Sequence, residues 1–256
     1  MPLPAGKRSP AEVLPVVAAA GELLLSCGAE VTRVEDTVTR IAHAYGIQEV
    51  GTFATPTGLI VSLGDDHHLT SVKRVHSRTM ALDRVSALNA LSRELAQRPI
   101  PPAEALQRIQ AIRTQPGPAP AWSGVGFSAL AAAAATMLVG GTLKDFLPAL
   151  IANILIQGVQ RVSGNLRLPD TIGDVLAGAA SVFVALGMKA LAGADFPAVV
   201  AGGIMILLPG TAFTTSVRDA MSGDLISAGA RALEATMKAA ALAAGVTSAL
   251  FLTGRL

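Results

Sequence analysis

The sequence predicts a small α/β domain followed by an all-α polytopic membrane domain of about five transmembrane helices. Three observations predict it. Hydrophobic residues make up 51% of the 256 residues and charged ones only 15%, with a mean hydropathy of +0.52, which is high for a purely globular chain. All four histidines and over half of the charged residues precede residue 115, so the polar and apolar parts of the chain are separate. The third observation is Gly202-Gly203-Ile204-Met205-Ile206-Leu207-Leu208-Pro209-Gly210-Thr211, an apolar helix pattern that breaks itself and runs into Thr214, Thr215, Ser216, Arg218, Asp219 and Asp224. Pro209 has no amide hydrogen, so the Met205 carbonyl loses its helical partner. In hydrocarbon that group must be met by protein or by a water-filled cavity. Broken helices of this kind often line transport paths.

The expected boundaries are a cytoplasmic α/β domain over 1–115, a linker over 116–121 and a transmembrane helical domain over 122–256. Lys7 and Arg8 before Val13-Leu14-Pro15-Val16-Val17-Ala18-Ala19-Ala20 resemble an export signal only loosely. Glu22 interrupts the apolar core, and Leu25 stands where a cleavage site carries a small or β-branched residue, so a buried helix is expected. A second, amphipathic helix covers Ala29 to Tyr45, with Val31, Val34, Val38, Ile41, Ala42 and Tyr45 at helical spacing and Gly46 as its stop. Gln48 to Ala54, Leu59 to Leu63 and Leu69 to Val75 read as a small antiparallel sheet. They are separated by Thr55-Pro56-Thr57-Gly58 and Gly64-Asp65-Asp66-His67 turn chemistry. Helices follow around Ala81 to Gln97 and from Pro101-Pro102 to about Arg113. Gln115-Pro116-Gly117-Pro118-Ala119-Pro120 links the two parts.

Beyond the linker the candidate spans are Trp122 to Leu143, Phe146 to Val162, Thr171 to Leu191, Phe196 to Phe213 and about Gly229 to Leu252, judged against roughly 20 apolar residues per crossing. The second and fourth are short. Runs such as Ala131 to Ala135, Gly140-Gly141, Ala177 to Ser181 and Ala239 to Gly245 let helix backbones approach closely. With the N-terminal domain inside, Arg108, Arg113, Arg161, Arg167, Arg218 and Arg231 lie at the inner surface against Lys144, Lys189 and Arg255 outside. The expected location is the cell (inner) membrane, multi-pass.

Gly28-Ala29-Glu30-Val31-Thr32-Arg33-Val34-Glu35, Thr55-Pro56-Thr57-Gly58, Arg78, Asn89, Leu208-Pro209-Gly210, Arg218-Asp219, Ser222-Gly223-Asp224 and Arg231-Ala232-Leu233-Glu234-Ala235 form an ordered set over most of the chain. That set resembles the threonine/serine exporter (ThrE-type) family. The resemblance implies a cytoplasmic domain followed by a membrane domain, and export of small hydroxylated amino acids. Longer members carry a second set of spans, so this chain looks like the larger member of a split two-component exporter whose small membrane partner supplies the missing half. For split systems the implied substrates include dicarboxylates.

Read on their own, Arg231, Glu234 and Lys238 fall at i, i+3 and i+7 on one helical face, continued by Ala241, Gly245 and Ser248. Glu234 and Lys238 are also an i,i+4 pair in the favourable order, and the alternative reading is a self-neutralising pair at the head-group boundary. Asp219 and Asp224 suit proton exchange or a substrate ammonium group, and Arg218 suits a carboxylate; topology signals in a loop are the alternative. The expected pathway is therefore Pro209, Gly210, Thr211, Thr214, Arg218, Asp219, Asp224, Arg231, Glu234 and Lys238. Glu30 reads as a helix-start charge that favours the dipole, and Arg33 and Glu35 as surface or interface charges.

Other chemistry is excluded or weak. His67, His68 and His76 lack a carboxylate or cysteine to complete a metal site, and no cofactor is expected. The single Cys27 cannot form an intramolecular disulfide, and with His43 it makes no recognisable nucleophile and base. Evenly mixed charges, net +2, argue against nucleic acid. Neither a Gly-x-x-x-x-Gly-Lys-Ser/Thr loop nor a Gly-x-Ser-x-Gly elbow occurs, so the chain is not expected to be an enzyme or to use ATP directly. The leading expectation is a subunit of an ion-driven secondary exporter, oligomeric with a second membrane subunit in the bilayer, acting on a small polar substrate. The alternative is a membrane-anchored hydrolase-like enzyme or scaffold built on the N-terminal domain.

Overall fold

A computed structural model describes residues 8–64, 69–76, 78–117 and 121–255, the side chains of 121 and 122 excepted. Asp65 to His68, and the Pro118-Ala119-Pro120 part of the expected linker, lie outside the described residues. The chain divides into two compact units, Met1–Pro118 with Thr215–Arg231, and Ala119–Thr214 with Ala232–Leu256.

In the first unit, helix α1 (Pro10–Ser26) begins where the Ser9 side chain accepts the Ala11 N–H at 3.3 Å, with proline at the first helical position. Its apolar residues run almost all round, and such a helix belongs at the centre of a core. Val13, Val16, Val17, Leu23, Leu24 and Leu25 are buried accordingly. Around α1 pack α2 (Val31–Ala44), α4 (Pro102–Thr114) and the sheet, while α3 (Leu82–Gln97) covers α2. The sheet is antiparallel in the order β1 (Val50–Thr55), β2 (Gly58–Leu63), β3 (Leu69–Arg74), with Phe53 opposite Ile60 and Ile60 opposite Val72. Alternation buries Leu59, Val61 and Leu63 and turns Phe53, Ile60 and Val72 outward. Cys27, just after α1, is a buried free thiol, and burial pushes its pKa up.

The second unit contains α5 (Ala121–Leu138), α6 (Leu143–Asn165), α7 (Asp170–Ala192) and α8 (Phe196–Met205). It also takes the start of α9 (Gly210–Met221) and the greater part of α10 (Leu225–Leu252). Among the described residues α6, α7 and α10 are long and apolar enough to cross a membrane, and the bent pair α8 and α9 makes a fourth if counted as one span. About five were expected. The first expected span stops early because Gly140, at φ 103°, turns the chain and the Gly141 N–H donates back to the Thr136 carbonyl at 2.9 Å. α5 is 18 residues long, and among the described residues Ser123–Leu138 counts as a shorter apolar helix. The second expected span is longer than foreseen, at 23 residues. One oxygen of the buried Asp145 accepts both the Thr142 N–H and its hydroxyl at 2.7 Å, which starts α6 at Leu143. The other oxygen accepts the Asp195 N–H at 2.7 Å and ties the start of α6 to the start of α8.

Small residues form the core of this unit: Ala133, Ala149, Ala152, Ala185 and Ala249 pack with Val182 and Val199. Gly178 on α7 lies against the Leu242 backbone of α10, and Gly245 on α10 lies against the Val175 carbonyl of α7. The two backbones touch, and a methyl group at either glycine would overlap a carbonyl. Overpacking of this kind costs about 1–3 kcal/mol, so Gly178→Ala and Gly245→Ala will each lower the thermal midpoint of the detergent-solubilised protein. Gly158→Ala and Gly187→Ala, where an added methyl meets nothing within 4 Å, will leave it unchanged or raise it.

Candidate functional site

The break after α8 is built by backbone hydrogen bonds that skip one carbonyl. The N–H groups of Leu207 and Leu208 both donate to Ile204, at 2.9 and 3.2 Å, and the Gly210 N–H donates to Leu208 at 2.8 Å. Pro209 has nothing to donate, so neither it nor its neighbours serve the Met205 carbonyl. The helices on either side are bent by 51°. Beside the break lies a cavity of about 350 Å³, lined by Ile206 to Pro209, Thr211 and Ala212, by Ser128, Gln157 and Gln160, and by Glu234, Ala235 and Lys238 from α10. Lys238 Nζ stands 3.8 Å from Oδ1 of Asp174, a nearly buried carboxylate on α7; the pair is ionic but too long for a hydrogen bond. Gln157 donates to Asn153 Oδ1 at 2.6 Å, and the fully buried Asn153 keeps an Nδ2 without a hydrogen-bond partner among the described residues.

A second cluster lies in the first unit. Arg231, 6% exposed, places Nε 3.0 Å from Asp219 Oδ2 and donates through Nη2 to the Ala29 carbonyl at 3.1 Å. The Nε–H is not aimed along a hydrogen bond to that oxygen, so this contact is electrostatic. Arg218 pairs with Glu30 at the start of α2. Asp224 sits at the head of α10, where its Oδ1 accepts the Ser227 N–H at 3.1 Å. Glu35 accepts the Ala54 N–H at 3.0 Å. Burial raises the Glu35 carboxyl above its ordinary range despite that bond, and the charges of Asp224 and Asp36 add to the rise.

The ten expected pathway residues therefore fall into two groups. Pro209, Thr211, Glu234 and Lys238 line the cavity, whereas Arg218, Asp219, Asp224 and Arg231 belong to the ion cluster. The expected stripe is split, since Arg231 faces Asp219 and Ala29 and is absent from the cavity lining that holds Glu234 and Lys238. Gly210 is exposed, and the Thr214 hydroxyl donates to the Gly210 carbonyl at 2.7 Å, serving its own helix. Sequence reasoning passed over Asn153, Gln157 and Asp174. Their signal was present: polar side chains inside apolar helices are costly unless they face a cavity or a partner.

Long apolar helices, a broken helix pair and a charged cavity beside it define a polytopic helical membrane protein. The chain belongs to the threonine/serine exporter (ThrE) family, which it matches over residues 15–253. It is 27% identical over 242 residues to a protein of Mycobacterium tuberculosis (strain ATCC 25618 / H37Rv) named "Probable threonine/serine exporter", a match covering 93% of this chain and 46% of that one. The chain thus spans about half the length of this curated relative. No solved structure matches it.

Removing one partner of a buried ion pair leaves an uncompensated charge and costs about 3–5 kcal/mol. Arg231→Leu and Asp219→Asn are each expected to lose stability on that scale in unfolding measurements. Arg218→Ala, whose side chain is 60% exposed, is expected to lose less than about 1 kcal/mol.

Proposed function

We propose that this chain is a subunit of a secondary exporter for small zwitterionic amino acids of the threonine and serine type, driven by an ion gradient, with the cavity beside Pro209 as its substrate path. The observation that carries the reading is the charge arrangement there. Glu234 and Lys238 line one cavity together with the hydroxyl of Thr211 and the carboxamides of Gln157 and Gln160. A zwitterion answers both charges, its ammonium group toward Glu234 and its carboxylate toward Lys238. A dicarboxylate meets one cation against Glu234 and Asp174, so the balance favours the amino acid. The membrane-anchored enzyme is the weaker reading, because an anchor has no use for a polar break.

The reading includes a second membrane subunit and an oligomeric assembly. It also includes a cytoplasmic N-terminal domain in the cell (inner) membrane and five crossings, supported by the arginine bias. Reporter fusions after Gln115 and after Arg255 are expected to report opposite compartments; agreement between them defeats the five-crossing topology.

Initial efflux of threonine, serine and succinate from vesicles, with and without the second subunit, tests the function. Glu234→Gln and Lys238→Met are expected to lower amino-acid efflux at least tenfold at equal membrane abundance, about 1.4 kcal/mol in barrier. Leu233→Ala, one position away on an exposed face, is expected to match the wild type. Wild-type rates in both charge variants would remove the cavity from the path.

A further inference from the structure

The polar groups of α6 are ordered from their buried end. Asn153 and Gln157 lie one helical turn apart on the same face, and Asn153 is 0% exposed in a stretch that also buries Ala149, Ala152 and Ile156. Gln157 Nε2 donates to Asn153 Oδ1 at 2.6 Å and to the Val125 carbonyl of α5 at 3.4 Å. A backbone carbonyl can only accept, so the nitrogen of the Gln157 amide faces Val125, and Asn153 turns its oxygen to the same nitrogen. Exchanging the Gln157 amide end for end would set oxygen against oxygen. Its hydrogens are thereby committed, and among the described residues no group donates to its Oε1.

Asn153 is an unfavourable choice for its surroundings. Its Nδ2 is buried and has no hydrogen-bond partner among the described residues, a condition that buried amides normally escape. An apolar side chain there would carry no such penalty. What the position gains from asparagine is the hold of its oxygen on Gln157.

Gln157 lines the cavity of about 350 Å³ beside Pro209, whereas Asn153 is not part of that lining. With its nitrogen turned to Asn153 and Val125, the polar atom that Gln157 has left for the cavity is a carbonyl oxygen, a fixed acceptor that calls for a donor. Ser128, on the same lining, gives its hydroxyl proton to the Gly124 carbonyl of its own helix at 2.8 Å. Gln160 lines the cavity with no hydrogen bond to orient it among the described residues. A zwitterion whose two charges answer Glu234 and Lys238 has only its side chain left to meet the oriented oxygen, and the side-chain group that donates to a carbonyl is a hydroxyl.

We propose that Gln157 is the specificity-determining residue of this cavity, its Oε1 accepting the side-chain hydroxyl of the substrate, and that Asn153 is the positioning residue that aims it. In the exporter reading, on which this assignment rests, the cavity prefers serine to alanine and threonine to valine, pairs in which a hydroxyl is replaced by hydrogen or by methyl. An analogue without the hydroxyl leaves the acceptor unpaired, so such a site rejects it more strongly than an apolar pocket does.

Ligand-dependent thermal unfolding of the purified full chain in detergent reads binding without reference to transport. Serine, alanine, threonine and valine are titrated separately. The wild type is expected to half-saturate with serine at about tenfold lower concentration than with alanine, and with threonine at about tenfold lower than with valine, the effect of one hydrogen bond to an otherwise unpaired acceptor. Gln157→Met keeps the length of the side chain and removes the amide, and it is expected to abolish both preferences. Gln157→Leu is a second apolar replacement with the same expectation; the position is half-buried, so neither change enters the packed core. Asn153→Ala is expected to weaken both preferences and to change nothing further in the Gln157→Met background, because a residue that acts through the amide has no effect once the amide is gone. A merely structural Asn153 would lower the midpoint without ligand and leave the preferences intact, which overturns its positioning role. A wild type that binds serine and alanine alike, or binds neither, overturns the role of Gln157, as does a hydroxyl preference that survives in Gln157→Met. Initial efflux of the same four amino acids from vesicles separates the two readings. Hydroxyl-selective binding in a chain that exports nothing supports Gln157 and counts against the exporter reading, whereas export of all four at equal rates counts against Gln157 alone.

Discussion

A guanidinium group removed from water has to be answered by charge and by hydrogen-bond acceptors, and Arg231 imposes that demand on two distant stretches of sequence. The desolvation of such an ion is several kcal/mol even after relaxation. Its carboxylate partner, Asp219, lies on the preceding helix and reaches it because Gly223, at φ 87°, reverses the chain while the Asp224 N–H closes onto the Asp219 carbonyl at 3.0 Å. Its backbone partner, the Ala29 carbonyl, is presented by the turn that Gly28 makes at φ 79° after α1. The two glycines supply a backbone conformation that other residues adopt only with strain. One buried cation thus explains why an acidic helix start near residue 30 and a charged turn near residue 220 belong to the same compact unit.

Much of the first unit was legible in the sequence because its signals are local. The spacing of Val31, Val34, Val38 and Ile41 marks a helix face whatever that face packs against, and Thr55-Pro56-Thr57-Gly58 marks a hairpin between any two strands. The family was legible for another reason, since the ordered motifs carry more information together than singly. What escaped was set by partners far along the chain. Arg231, Glu234 and Lys238 do share a helical face, but a face says nothing about what each position meets, and here one meets Asp219 while the others meet a cavity. The length of α6 was in principle readable from Thr142 and Asp145, three apart before an apolar run. The apolar run itself begins only at Phe146, beyond the cap at Thr142.

The second unit shows how a bundle of mostly small side chains can leave room for polar groups. Alanine and glycine at the α7 and α10 crossing bring backbones together where larger residues would hold them apart, and dispersion between close backbones replaces the hydrophobic drive that lipid removes. The helix that breaks at Pro209 is the exception, giving up hydrogen bonds that its neighbours keep. Side chains that would be anomalous in a plain anchor, Asn153, Gln157 and Asp174, gather in the same unit as that break. The charges are few, and their signs are mixed, which suits a ligand that carries both.

Cys27 has a practical consequence. It is the only sulfhydryl in the chain, it is 3% exposed, and burial holds it toward the protonated form. Since the thiolate is the reactive species, alkylating reagents will spare it in the folded protein. A cysteine introduced anywhere on an accessible surface will then be the sole site of labelling, so the native sequence already serves as a silent background for accessibility mapping and spectroscopic probes.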